Sequence, residues 1–183
     1  MTLPDMVKAA REGMHKAIEN TRRELSGIRS GKSSPQLLDV VRVEAYGATV
    51  PLVQVAMVTA PEPRLLTVQP FDKGLAAAIE KAIRDAGLGL NPQSQGNVIR
   101  VPLPMLSEER RRELIKICGK LAEEGRVAVR QARTDAMGRI KKIEKVSEDE
   151  KSRAEKEVQK HTDDAIHQID AQLKAKEAEI LEV

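Results

Sequence analysis

The 183-residue chain contains no tryptophan, one tyrosine (Tyr46), one phenylalanine (Phe71) and one cysteine (Cys118). The single thiol excludes a disulfide framework and a cysteine-based zinc site, and it suits a reducing compartment. With aromatics at only 1% of residues, any core must be aliphatic, built from Leu, Ile, Val, Ala and Met. No apolar run approaches the roughly 18 residues of a membrane-spanning helix, so no membrane partner is expected. The opening Met1-Thr2-Leu3-Pro4-Asp5 lacks a secretory apolar stretch and an Arg/Ser-rich presequence. A cytoplasmic location is therefore expected.

Motifs for chemistry are equally sparse. Gly31-Lys32-Ser33 invites a phosphate-loop reading, but G-x-x-x-x-G-K-S/T requires Gly at position 26, which is Ser26. His15, His161 and His167 form no metal-binding spacing, and no nucleophile is paired with a base. An enzyme, a metal site and a bound cofactor are all unexpected, and a binding protein is the class that remains.

What is present is charge, at 32% of residues, in long helical patterns. Thr2 reads as an N-cap with Asp5 three residues on, followed by an apolar stripe Leu3, Val7, Ala10, Met14, Ala17 or Ile18, Thr21, Leu25 and Ile28. Gly31 supplies the expected C-cap and Pro35 follows. A second helix starts after Ser107, with the stripe Leu114, Cys118, Leu121, Gly125, Ala128, Ala132, Ala136, Ile140, Ile143 and Val146. Ser147 and Glu150 form a capping box that starts a third. Its stripe is Ala154, Val158, Thr162, Ala165, Ile169, Leu173 and Ile180, broken by Lys176. The last two helices should each run about 50 to 60 Å at 1.5 Å per residue. Three one-sided helices can bury their stripes in one another as a bundle.

Residues 31–104 lose this period. Val41, Val43 and Ala45 alternate with Arg42 and Glu44 as in a half-buried strand, and Tyr46-Gly47-Ala48 reads as a turn. Leu52 to Thr59 and Leu65 to Val68 are further apolar runs, separated by Pro61-Glu62-Pro63. Asp72 should cap a short helix that Gly87 closes, and Asn97 to Val101 should be a last strand. The fold class is therefore α+β. A long antiparallel three-helix bundle (1–30 plus 105–183) carries an inserted small β/α domain (31–104). The connections Ser30, Gly31, Lys32, Ser33, Ser34, Pro35 and Val101, Pro102, Leu103, Pro104 are hinge candidates.

Charge is unevenly placed. Arg110 to Lys145 holds twelve basic and five acidic residues, a net of +7; Val146 to Val183 holds six and eleven, a net of −5. Arg126, Arg130 and Arg133 share one helix face beside the core stripe, and Arg112 and Lys116 extend it. Such a row can meet backbone phosphates, and without aromatics to stack on bases it suits folded RNA read by shape.

The order of parts and several strings resemble the bacterial ribosome recycling factor family. The strings are Ile28-Arg29-Ser30-Gly31-Lys32-Ser33-Ser34-Pro35 with Leu37-Leu38-Asp39, Tyr46-Gly47 and Leu88-Gly89-Leu90-Asn91-Pro92. They continue with Ile99-Arg100-Val101-Pro102-Leu103-Pro104, Glu109-Arg110-Arg111 and Val129-Arg130-Gln131-Ala132-Arg133. Ala45, Gln131 and Ala132 depart from the residues usual in that family. The resemblance implies a two-domain L shape and a non-enzymatic factor that acts on the ribosome after termination. It implies a bundle lying on large-subunit rRNA, and elongation factor G, the partner that uses GTP, driving the subunits apart. It also implies that Arg133 contacts rRNA, with Arg130 and Arg29 beside it, in a monomer that binds no DNA. In an up-down-up bundle, however, the end of helix one lies near the start of helix two, which puts Arg29 at a separate point. The competing reading is a coiled-coil scaffold with an inserted domain, which would self-associate through its stripes.

Overall fold

The computed structural model describes residues 1–182; Val183, which the expected bundle includes, lies outside the described residues. The chain divides into two compact units, 1–30 with 109–182, and 31–108.

The first unit is three helices: α1 (Leu3–Ser26), α3 (Glu108–Lys142) and α4 (Glu148–Glu182). Thr2 caps α1, and Asp5 returns the bond from its carboxylate to the Thr2 backbone N–H at 2.8 Å. Ser147 and Glu150 repeat this reciprocal arrangement at α4. Lys142 ends α3 before the chain turns through Lys145, whose φ is +61°. The helix restart expected at Ser147 is therefore real. By contrast, α1 ends at Ser26 with Gly27 as its C-cap, not at Gly31. Gly31 instead sits beyond the helix with φ +80°.

Helix directions follow from cross-helix neighbours. Gly13 faces Ala132 and Thr21 faces Gly125, so α1 and α3 run antiparallel. Met14 meets Thr162, and Ser30 donates to Glu179 at 2.7 Å, so α1 and α4 run parallel.

The buried positions on α3 are Leu114, Cys118, Ala122, Gly125, Val129, Ala136 and Ile140. On α4 they are Ala154, Val158, Thr162, Ala165, Ile169 and Ile180. Both sets repeat every eleven residues, as in Leu114, Gly125, Ala136 and in Val158, Ile169, Ile180. This corrects the expected stripe at Leu121, Ala128 and Ala132: Ala122 and Val129 are buried, Ala128 is exposed, and Leu121 and Ala132 are half-buried. An alternation of threes and fours assumes about 3.5 residues per turn, whereas an eleven-residue repeat gives about 3.67, so the assumed stripe drifts off the core. Lys176 does lie on the α4 stripe. Its stem is buried while its amino group reaches Glu179 at 3.5 Å, the behaviour of a long side chain that keeps its charge near the surface.

The second unit holds a hairpin, β1 (Arg42–Ala45) with β2 (Ala48–Pro51), and a sheet of β3 (Ala56–Glu62), β4 (Leu65–Pro70), β6 (Val98–Pro102) and β5 (Gln93–Gln95) in the order β3-β4-β6-β5, all antiparallel. The hairpin turn Tyr46-Gly47 has φ +54° and +75°, the left-handed pair that a two-residue hairpin requires. Helix α2 (Ala76–Asp85) buries Ile79 and Ile83 against Val43, Leu66, Val68, Ile99 and Val101. Asp72 caps the 3-10 turn that leads into it. Three expectations need correction. Leu52–Gln54 is a 3-10 turn, and the strand starts only at Ala56. Pro61 and Glu62 continue β3 rather than separating strands, because the register shifts between Thr59 and Glu62 and so skips the proline, which lacks an N–H. Strand β5 was not expected, since all three of its residues are exposed and it carries no apolar signal.

Candidate nucleic-acid interface

The arginine row lies on the seam between α3 and α4. Seven residues separate Arg126 from Arg133, about 10 Å along the axis. Arg126 is half-buried: its Nε donates to Asp170 at 2.7 Å, and an Nη donates to Glu123 at 3.0 Å. Burial pulls the Arg126 pKa down, but the bonds to Asp170 and Glu123 outweigh it and the net shift is upward. Arg130 donates to the other Glu123 oxygen at 3.0 Å. Glu123 is thereby held below the usual carboxylate range, first by Arg130 and then by Arg126. Arg126 is thus paired on two sides, and Arg130 shares Glu123 with it in an exposed pair.

Arg133 is different. Its Nε donates to the Gln159 side-chain oxygen at 2.7 Å, and the Gln159 amide in turn donates to Asp163 at 2.9 Å. Gln159 orients the guanidinium without cancelling its charge, and among the described residues no carboxylate pairs with Arg133. Nothing in the sequence marked Gln159, because its role depends on α4 lying antiparallel to α3.

The other candidates are not part of this cluster. Arg112 and Lys116 are exposed toward the start of α3; Arg112 is about 32 Å along the axis from Arg133. Arg29 is exposed and lies outside α1, next to Ser30, which bonds Glu179 near the end of α4. Because α1 and α3 run antiparallel, Arg29 is at the Lys116 end of the bundle rather than beside Arg133.

Among the hinge candidates, Ser30 is buried within the bundle unit. Ser33 is stitched to the small unit, its N–H donating to Pro63 at 2.7 Å and its hydroxyl to Glu62 at 2.5 Å. Ser34 caps the 3-10 turn Pro35–Leu38. Val101 and Pro102 belong to β6, and the Leu103 N–H donates to Arg64 at 2.8 Å. Only Gly31, Lys32 and Pro104 have no such ties among the described residues. Gly31 packs so closely on Leu106 that a Cβ there would lie 3.0 Å from it.

Cys118 is fully buried, and burial pushes its thiol pKa up while Lys176 draws it back only in part. It is core rather than a nucleophile. Among the described residues no group of His, Cys, Asp and Glu is arranged to hold a metal ion. No helix among them is long and apolar enough to cross a membrane.

Comparison with known proteins agrees with this architecture. The family described as ribosome recycling factor matches residues 21–181. A ribosome-recycling factor of Symbiobacterium thermophilum is 52% identical over 182 residues, covering 98% of each chain. That of Rhodospirillum centenum is 51% identical over the whole of both. A solution structure of a ribosome recycling factor matches with a TM-score of 0.70 at 45% identity, covering 100% of this chain and 99% of that one. A second solved chain matches at 0.60 and 47% identity, covering 99% of this chain and 100% of that one. It comes from a description of the T. thermophilus ribosome recycling factor and the E. coli elongation factor G bound to the E. coli post-termination complex. With half of its residues identical to these relatives along nearly its full length, the chain belongs to the ribosome recycling factor family.

Proposed function

We propose that the α3–α4 seam is the face with which this recycling factor lies on large-subunit ribosomal RNA, and that Arg133 is its principal contact. The observation that carries this reading is the contrast within the row. Arg126 and Arg130 spend their charge on Glu123 and Asp170, whereas Arg133 is aimed by a neutral glutamine and keeps its charge. A guanidinium held by Nε alone leaves its two Nη groups for an external oxygen pair, and phosphate supplies one in a bidentate, charge-assisted geometry. Arg130 and Arg126 flank the contact; Arg112, Lys116 and Arg29 serve a second point at the other end of the bundle.

From this seat the factor acts in the cytoplasm on the post-termination ribosome. Elongation factor G, which carries the GTP, moves the small unit and the subunits part. The pivot lies at Gly31 and Lys32 on one connection and between Pro104 and the start of α3 on the other, because Ser33 and Leu103 are tied to the small unit by backbone bonds and Ser30 is tied to the bundle.

Arg133→Ala tests the site. It should weaken binding to large subunits by about 1 to 3 kcal/mol and change the melting temperature little. Arg133→Lys should recover only part of the affinity, since a point charge lacks the fork. Wild-type binding by Arg133→Ala, or loss of its fold, would make the residue structural. Gln159→Leu should weaken binding less than Arg133→Ala, because it frees the guanidinium without removing it.

A further inference from the structure

We propose that the groove between β1 and α2 in the small unit is a docking site for an extended segment of a partner protein, which adds as a strand to the free edge of β1. The inference concerns a face outside the arginine row and does not rest on it. The groove encloses about 400 Å³. From β1 it takes Arg42 and Glu44, and from α2 the row Ala78, Ala82 and Ala86. No residue of β2 lines it, so it lies on the side of β1 away from β2.

Backbone bonding leaves that side open. The turn Tyr46-Gly47 closes on the pair Ala45 and Ala48, and at the other end the Leu52 N–H donates to the Val41 carbonyl at 3.2 Å. Bonded and non-bonded pairs alternate along an antiparallel ladder. Val43 therefore bonds Val50, while the N–H and C=O groups of Arg42 and Glu44 turn outward. The hairpin is a two-stranded sheet, and among the described residues no other backbone takes up these groups. Other outer edges of the unit are blunted. The register of β3 shifts around Pro61, β5 is three residues long, and Pro51 removes a donor from the outer edge of β2. The edge of β1 is regular and carries one charge of each sign.

Three features select a polypeptide. Outward donors and acceptors in a row match the main chain of an extended peptide, which offers both in turn. The alanines recur about every 6 Å along α2, close to the roughly 6.8 Å between same-face residues of a strand. A strand laid beside β1 can rest alternate apolar side chains on them, as β1 itself buries Val43 in one core with Ile79 and Ile83. Arg42 and Glu44 are exposed, as are Lys81 and Asp85 on the α2 wall, and among the described residues none of the four is ion-paired. Balanced charge does not select an anion. It fits a segment with an acidic residue opposite Arg42 and a basic one opposite Glu44, two positions apart. A second copy offers that pattern in its own β1, but its α2 would then share the space beneath the seam with the first.

The test uses the isotopically labelled full-length protein and two capped peptides. Thr-Val-Lys-Val-Glu-Val-Thr presents the charges for antiparallel pairing, and Thr-Val-Glu-Val-Lys-Val-Thr for parallel pairing. Amide exchange at Arg42 and Glu44 should be fast in the free protein and about tenfold slower with one of the peptides at saturation. The amide resonances of Ala78, Ala82 and Ala86 should shift with it. Arg42→Glu should lose most of this protection, and Arg42→Lys should keep it. A peptide with lysine at both charged positions should restore it to Arg42→Glu. Ala82→Leu fills the floor and should abolish binding; Arg42 is exposed, so its variants report even if Ala82→Leu fails to fold. Protection by neither peptide overturns the proposal. Equal protection of wild type and Arg42→Glu overturns the stated occupant. Protection that grows with protein concentration alone would assign the edge to a second copy and overturn it too.

Discussion

The two units solve the problem of a nearly aromatic-free core in opposite ways. Six of the fourteen buried residues in the bundle core are alanine, against two of the thirteen in the small unit. The bundle gains stability by bringing helix backbones close along a great length, with small residues making room. At its centre Gly125 faces Thr21, and Ile169 closes the third side. The small unit instead packs branched side chains of Leu, Val and Ile between one helix and a sheet. Ten of its core residues are at 0 or 1% exposure despite its size. Thin, repetitive packing suits a rod that presents a long charged surface. A dense, compact core suits a unit that must hold together at small size.

This contrast can be broken in order of size. Leu66→Ala removes a fully buried side chain from the centre of the sheet and should cost about 3 kcal/mol. The loss should be confined to the small unit: calorimetry should show an early transition, and helical circular dichroism should largely persist past it. A single cooperative collapse would mean that the units are not independent. Next is Gly125→Ala. In an open helix position this change would stabilise by about 1 kcal/mol. Here the new methyl collides with the Thr21 hydroxyl, so we expect a loss of about 2 kcal/mol instead. Thr21→Ala in the same chain should recover most of it, and failure to do so would show that the helices part rather than repack.

The smallest effect, and the sharpest contrast, is in pH dependence. In the bundle, Asp5 and Glu150 are held low by their cap partners, Thr2 and Ser147. Arginine neighbours hold Glu19 and Glu123 low. A carboxylate depressed in the folded state stabilises above its unfolded pKa, and that contribution is lost as pH falls through the folded one. The bundle should therefore soften below about pH 4. In the small unit the shifted group is Tyr46, raised by its bond to Asp72 at 3.1 Å. Its contribution is complete below the usual phenol value and is lost as pH rises through the folded one. The small unit should soften above about pH 10. On the alkaline side the buried Cys118 thiol, also raised, softens the bundle as well, so the contrast lies on the acid side. Melting curves followed at α-helical and tyrosine signals should show the bundle softening there first; softening of both units together would remove the contrast.

Helix starts were legible in the sequence, because a cap is a local bond between residues three apart. Thr2 with Asp5 and Ser147 with Glu150 formed as their spacing predicts. Helix ends were less so: Gly31 was an apt stop, but Gly27 ended α1 first. Strand β5 was silent because an exposed edge strand of Gln93, Ser94 and Gln95 owes its pairing to β6, not to its own side chains. The row Arg126, Arg130, Arg133 was visible as a face. The fate of each charge was not, because Asp170 and Gln159 are 44 and 26 residues away in the chain.

Sequence by itself determined the helix starts with their caps and the placing of basic and acidic charge on successive helices. These are consequences of local bonding and of periodicity along one strand of chain. Only the tertiary structure decided which residue of each neighbouring pair was buried, since an eleven-residue repeat appears once three helices must stay in contact over their whole length. It also decided which cations remain available to a partner. Whether an arginine meets an aspartate, a glutamine or open groove depends on what the neighbouring helix presents at the same height, and no local pattern records that.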